Sequence, residues 1–236
     1  MLEQFRNGRI LLIVAHPDDE ILGPGATMHR LITEFGARVR VVILGEGITS
    51  RSAEREPARW ERELAEHRAN IESARKWIGF EETRTYDFAD NRFDGIDLLD
   101  IVKVVEREVA EFLPLAIFTH HGGDLNIDHQ RTFEAVMTAC RPMQDQVVRQ
   151  IVTFPTASGT EWRASTDPRH FIPNLFVRVS ESNIEAKISA MESYVYERRA
   201  FPHPRSPEAL RIFAAHSGMI VGAPLAECFA IVRVVC

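Results

Sequence analysis

The chain has 236 residues, 45% of them hydrophobic and 26% charged, with 13 Gly and 12 Pro. That length and composition suit one folded domain over residues 1–236 and exclude disordered, low-complexity and fibrous classes. Lys and Arg number 28 against 34 Asp and Glu, a formal net charge of -6, so neither nucleic acid nor an anionic membrane surface is expected as a partner.

The N-terminal segment runs straight into a strand pattern without the basic end, apolar centre and cleavage site of a signal peptide, and no stretch approaches the ~20 apolar residues needed to span a bilayer. A cytoplasmic location is expected, and a homo-oligomer is compatible with the sequence. Cys140, Cys228 and Cys236 are odd in number and widely spaced, which suggests neither a disulfide framework nor a thiolate metal site.

In chain order, residues 9–15 form a short continuous apolar run, the pattern of a strand buried on both faces. A helical pattern follows through Leu31 and Phe35, and Gly36 stops it. Residues 39–44 are a second β-branched run, and 57–77 have helical periodicity rich in Glu and Arg. A strand over 83–88, a helix over 98–112, a strand over 115–119, a helix from near His129 to Cys140 and a strand over 147–154 continue the alternation. Such alternation predicts an α/β fold with a mostly parallel twisted sheet and helices on both faces. Residues 155–173 read as a substrate-side loop, 180–199 as a helix, 201–206 as a Pro-rich turn, 207–217 as a helix and 228–235 as a last strand.

Two polar clusters stand at the carboxyl ends of predicted strands, where open α/β sheets bind ligands. The first reads Ala15-His16-Pro17-Asp18-Asp19-Glu20. Adjacent carboxylates repel each other unless a cation or proton intervenes, so His16 and Asp19 are candidate metal ligands, with Asp18 left free within reach of water on the metal. Helix capping by Asp18 or Asp19 is the plainer alternative. The second cluster, Thr119-His120-His121-Gly122-Gly123-Asp124-Leu125-Asn126-Ile127-Asp128-His129, has the composition of a metal and proton-transfer loop, with His129 as a third ligand. His29, His67 and His170 are assigned to ordinary surface or core positions.

These residues resemble the PIG-L/LmbE family of metal-dependent N-deacetylases. Residues 45–51, 90–94, 202–206 and 226–229 extend the likeness over nearly the whole chain. The resemblance implies a Rossmann-like fold, a zinc ion (or another divalent metal) held by His16, Asp19 and His129, and Asp18 as general base. It also implies a small-molecule substrate, an N-acetylated amino sugar losing its acetyl group. One departure stands out: many relatives carry a His where this chain has Asn126, and an amide can donate to an oxyanion but cannot deliver a proton. The general acid is then Asp18 acting twice, or His120 or His121, and the expectation is Asp18 as shuttle with His121 supporting.

Arg51 and Asp90 follow the second and third strands and are expected to contact the sugar, with Asp124 beside them, while Trp162, His203 and Arg205 are expected to shape the outer end of the crevice. Two other classes compete. A two-His, one-carboxylate set also suits a non-haem iron oxygenase, and a polar crevice can belong to a sugar- or nucleotide-binding module without catalysis.

Overall fold

A computed structural model describes residues 2–52 and 54–236; Met1, part of the N-terminal segment, lies outside the described residues. The parallel strands are β1 (Arg9–Val14), β2 (Arg38–Gly45), β3 (Glu82–Phe88), β4 (Ala116–His120) and β5 (Gln150–Phe154); β6 (Leu175–Arg178) and β7 (Ala226–Val234) are antiparallel additions. The seven-stranded sheet has the order β3-β2-β1-β4-β5-β7-β6, so the mixed, mostly parallel α/β architecture expected from the alternation is present.

The apolar run of β1 divides its side chains between the two faces, as a period of two requires. Ile10, Leu12 and Val14 join one buried cluster with Met28 and Leu31 of α2 (Gly25–Phe35), Ile71 and Ala74 of α3 (Glu61–Ile78) and Ala190 of α6 (Glu181–Glu192). Leu11 and Ile13 join the opposite cluster with Ile101 and Val105 of α4 (Leu98–Phe112) and Val136 of α5 (Ile127–Ala139). Helices therefore cover both faces. At 0% exposure, each of these β1 side chains contributes on the order of 1.5–3 kcal/mol of apolar burial.

Gly36 does end α2, in the left-handed region with φ 65, its N–H returning to Leu31 and Ile32 carbonyls. The short helix α1 (Asp19–Leu22) starts immediately after the first polar cluster. Differences from the sequence reading lie in the C-terminal third. Strand β6 was not foreseen, α6 stops at Glu192 rather than 199, and α7 extends over Pro207–Ile220. The chain leaves β1 toward β2 on one side and returns as β4 on the other, so the topological switch point falls between β1 and β4, and both polar clusters emerge there.

Candidate active site

Beyond β1 the chain turns sharply at Asp18, whose φ is 103. Its backbone N–H donates to Glu20 Oε2 at 3.0 Å, and Tyr194 Oη donates to the other Glu20 oxygen at 2.5 Å. That bracing orients Asp19 inward. Asp19 Oδ2 accepts the His16 backbone N–H at 2.8 Å and lies 3.5 Å from His16 Nδ1 and 3.3 Å from His129 Nε2.

One ligand atom from each of His16, Asp19 and His129 falls within 4.8 Å of the others. Donors around a tetrahedral ion with ~2.1 Å bonds sit about 3.4 Å apart, so the two measured separations suit a divalent metal. The remaining ring nitrogens are held from behind. Asp128 Oδ2 is 2.8 Å from His16 Nε2 and accepts Asn91 N–H at 2.7 Å, while Asp124 Oδ1 is 3.2 Å from His129 Nδ1. Carboxylates in that position fix the ring orientation of metal-binding imidazoles.

The electrostatics are those of a cation site. Burial opposes charge on His16, but hydrogen bonds donated to Asp128 and Asp19 outweigh it and hold the imidazole well above its ordinary range. His129 is likewise raised, to about 9, because Asp19 and Asp124 overcome its burial. Despite burial, Asp19 is held well below the usual carboxylate range by the charge of His129. Asp18 behaves oppositely. Burial pushes it well above that range, Arg205 pulls it back, and Asp19, Glu197 and Glu20 add to the rise.

The sequence candidates separate into three groups. His16, Asp18, Asp19, Arg51, Asp90, Asn126, His129 and Arg205 line one crevice of about 130 Å³. Asn126 caps α5, its Oδ1 accepting Asp128 N–H at 2.8 Å while its Nδ2 donates to Asn91 Oδ1 at 3.0 Å. Asp90 accepts Ser50 N–H at 3.1 Å, and Arg205 Nη1 lies 2.9 Å from Asp18 Oδ2 and 2.6 Å from Glu197 Oε2. Arg51 is paired with Glu197 and also donates to the Tyr196 carbonyl at 3.1 Å.

A second group stands behind the crevice. Asp124 is fully buried and partnered by His129, Thr160 and Asn126 N–H, so it supports a ring rather than meeting substrate. His120, also fully buried, accepts Ala15 N–H through Nε2 at 2.9 Å, faces Thr156 Oγ1 through Nδ1 at 3.0 Å and stacks on His129 at 3.8 Å. Burial and His129 lower it to about 4, so the ring is neutral and both nitrogens are committed.

The third group is turned away. His121 Nε2 bonds the Arg169 carbonyl at 2.7 Å, and the side chain is not among those lining the crevice. His120 is the last residue of β4, and the chain leaving the strand carries His121 to the Arg169 carbonyl. Trp162 packs edge-on against His203 with ring centroids 6.3 Å apart; neither lines the crevice.

Residues 11–140 match the protein family described as PIG-L: GlcNAc-PI de-N-acetylase. The chain belongs to this family. A protein described as the uncharacterized deacetylase YaiS of Escherichia coli (strain K12) is 27% identical over 190 residues, 78% of this chain and 89% of that one. Among solved structures, the A40926 pseudoaglycone deacetylase Dbv21 shares the fold at TM-score 0.73 and 21% identity, covering 98% of this chain and 99% of its own. The N,N'-diacetylchitobiose deacetylase of Pyrococcus horikoshii does so at TM-score 0.70 and 16% identity, over 97% and 87%. GalB, a 4-carboxy-2-hydroxymuconate hydratase of Pseudomonas putida KT2440, has TM-score 0.68 and 18% identity over 97% and 98%. At such identities these structures show the fold alone, and the same fold carries more than one reaction.

In this PIG-L family crevice, sequence reasoning missed His67, Asn91, Ser158 and Glu197, all of which line it. His67 had a legible signal. It belongs to the stripe His67, Asn70, Ile71, Ala74 and Ile78 that α3 buries, and α3 follows a parallel strand, so its N-terminal end lies at the carboxyl edge of the sheet. Glu197 had none, because the expected helix over 180–199 ends at Glu192 and only the following irregular segment turns Glu197 inward.

Proposed function

We propose that the protein is a metal-dependent N-deacetylase that converts an N-acetylated amino sugar, as a glycoside, glycan precursor or sugar nucleotide, into the free amine and acetate. The observation that carries this reading is a buried carboxylate, Asp18, left outside the His16, Asp19 and His129 donor set yet beside it at the switch point. Family membership and the relative named as a deacetylase support the same reaction.

The ligands would be His16, Asp19 and His129, and zinc is the metal that a borderline set of two imidazoles and one carboxylate suits. A divalent cation bound there supplies Lewis acidity toward a water molecule and the amide carbonyl. Asp18 accepts the proton of the attacking water. It later returns that proton to the departing nitrogen, because an amide anion is too poor a leaving group.

Asp18 fits both duties. It is raised by burial and held by Arg205 at 2.9 Å, whereas His120 is committed on both nitrogens and His121 points elsewhere. Asn126 has one amide hydrogen left after bonding Asn91, and that hydrogen can stabilise the oxyanion. Arg51 and Asp90 are the side chains on the sugar side of the crevice, and Arg205 aims Asp18.

The test is release of acetate and primary amine from N-acetyl sugars by zinc-loaded protein, in air and without oxygen. Equal release under both conditions is expected. Oxygen-dependent turnover gained only when iron(II) replaces zinc would favour the iron oxygenase, and binding without turnover the non-catalytic module. Hydration of an unsaturated acid without deacetylation would place the chain with GalB's chemistry.

A further inference from the structure

His67 is 2% exposed, and neither ring nitrogen has a hydrogen-bond partner among the described residues. Its ring packs edge-on against Tyr194, centroids 5.7 Å apart, and its side chain lines the crevice with Gly47, Arg51 and Glu197. Gly47, at φ 68, makes room for it: a Cβ there would stand 3.1 Å from His67 Nε2. A buried polar group without a partner is destabilising, and native proteins keep few of them. Such a cost at the wall of a binding crevice marks a group waiting for its partner.

On the deacetylase reading above, we infer that His67 is a specificity-determining residue, contacting one uncharged sugar hydroxyl through its imidazole. Burial lowers His67 from its ordinary range, so the ring is neutral near pH 7, with one N–H donor and one lone-pair acceptor. A hydroxyl matches that pair because it donates and accepts at once. A phosphate or carboxylate does not, since it only accepts and would face the Asp90 carboxylate in the same wall. Arg51, which lines the same crevice, is already paired with Glu197. His67 therefore selects hydroxyl geometry on the sugar ring rather than an anionic substituent.

The experiment uses zinc-loaded, full-length protein and a panel of N-acetylglucosamine glycosides lacking one ring hydroxyl at a time, with a sugar phosphate as the anionic member. For the wild type, one deoxy member should lose about tenfold in kcat/KM, because a site built for a hydroxyl leaves its own groups unpaired without it. In His67→Phe, KM for the parent glycoside should rise about tenfold with kcat little changed, and the penalty on that deoxy member should vanish. His67→Gln, which keeps a donor and an acceptor, should recover part of the discrimination. Metal content should stay at the wild-type level in both variants.

A His67→Phe protein with altered thermal stability but the same discrimination among the panel would overturn the inference, as would preference of the wild type for the phosphate. Absence of acetate release by the wild type from every member would instead refute the deacetylase reading, and the inference with it.

Discussion

Arg205 holds two carboxylates at once, and replacing it with methionine isolates what its charge does for Asp18. The guanidinium Nη1 lies 2.9 Å from Asp18 Oδ2 and 2.6 Å from Glu197 Oε2, while Nε donates to Ser158 Oγ at 2.7 Å. Methionine keeps much of the length and apolar packing but removes the charge. An opposite charge this close lowers a carboxyl pKa by about 1–3 pH units, and the Arg205 side chain is 24% exposed, so solvent screening favours the lower half of that range.

Asp18 works as a base only when ionised, so a higher pKa leaves a smaller competent fraction at any given pH. Glu197, freed from Arg205 but still paired with Arg51, pushes in the same direction. The acid limb of the kcat/KM profile should therefore move up by about 1–2 pH units, with activity depressed near neutrality and recovered as pH rises. The assay is amine release across pH at constant metal loading. A uniform loss at all pH values, with the acid limb in its wild-type position, would refute the electrostatic role and leave Arg205 a substrate contact.

Other outcomes follow from the same geometry. Asp128→Ala removes the carboxylate 2.8 Å from His16 Nε2 and should weaken metal affinity by about 10–100-fold, read by competition with a chelator. His121→Ala should leave both kcat/KM and the alkaline limb of the pH profile unchanged, because that ring bonds the Arg169 carbonyl outside the crevice. His120→Ala should lower stability by about 1–3 kcal/mol in a denaturant titration by leaving the Ala15 N–H unpaired, again without abolishing the alkaline limb.

The sequence exposes the parallel core and its polar edge for a physical reason. A strand buried on both faces is apolar at every position, as 10–14 are, and four polar residues in the next six cannot fill a core. It also points to Gly36 as a stop. Strand β6 was invisible because its four residues, two half-buried, one buried and one exposed, carry no alternation. His121 and His120 could not be told apart without knowing where β4 ends, since His120 is its last residue and His121 follows it. Asp124 reads as a substrate contact in a polar loop, and only burial shows it serving His129. His67 was hidden among the Glu and Arg residues of α3, although its spacing from Ile71, Ala74 and Ile78 put it on the buried stripe.

The central claim assigns the two adjacent carboxylates different work: Asp19 holds the metal and Asp18 moves the proton. Its most direct test is metal stoichiometry measured with turnover in Asp18→Asn and Asp19→Ala proteins. Asparagine is chosen at 18 because the backbone there has φ 103, a conformation it tolerates better than alanine. Asp18→Asn should keep its metal and lose at least about 100-fold in turnover, since a positioned base contributes that much, whereas Asp19→Ala should lose the metal itself. Metal lost from Asp18→Asn and retained by Asp19→Ala would contradict the account.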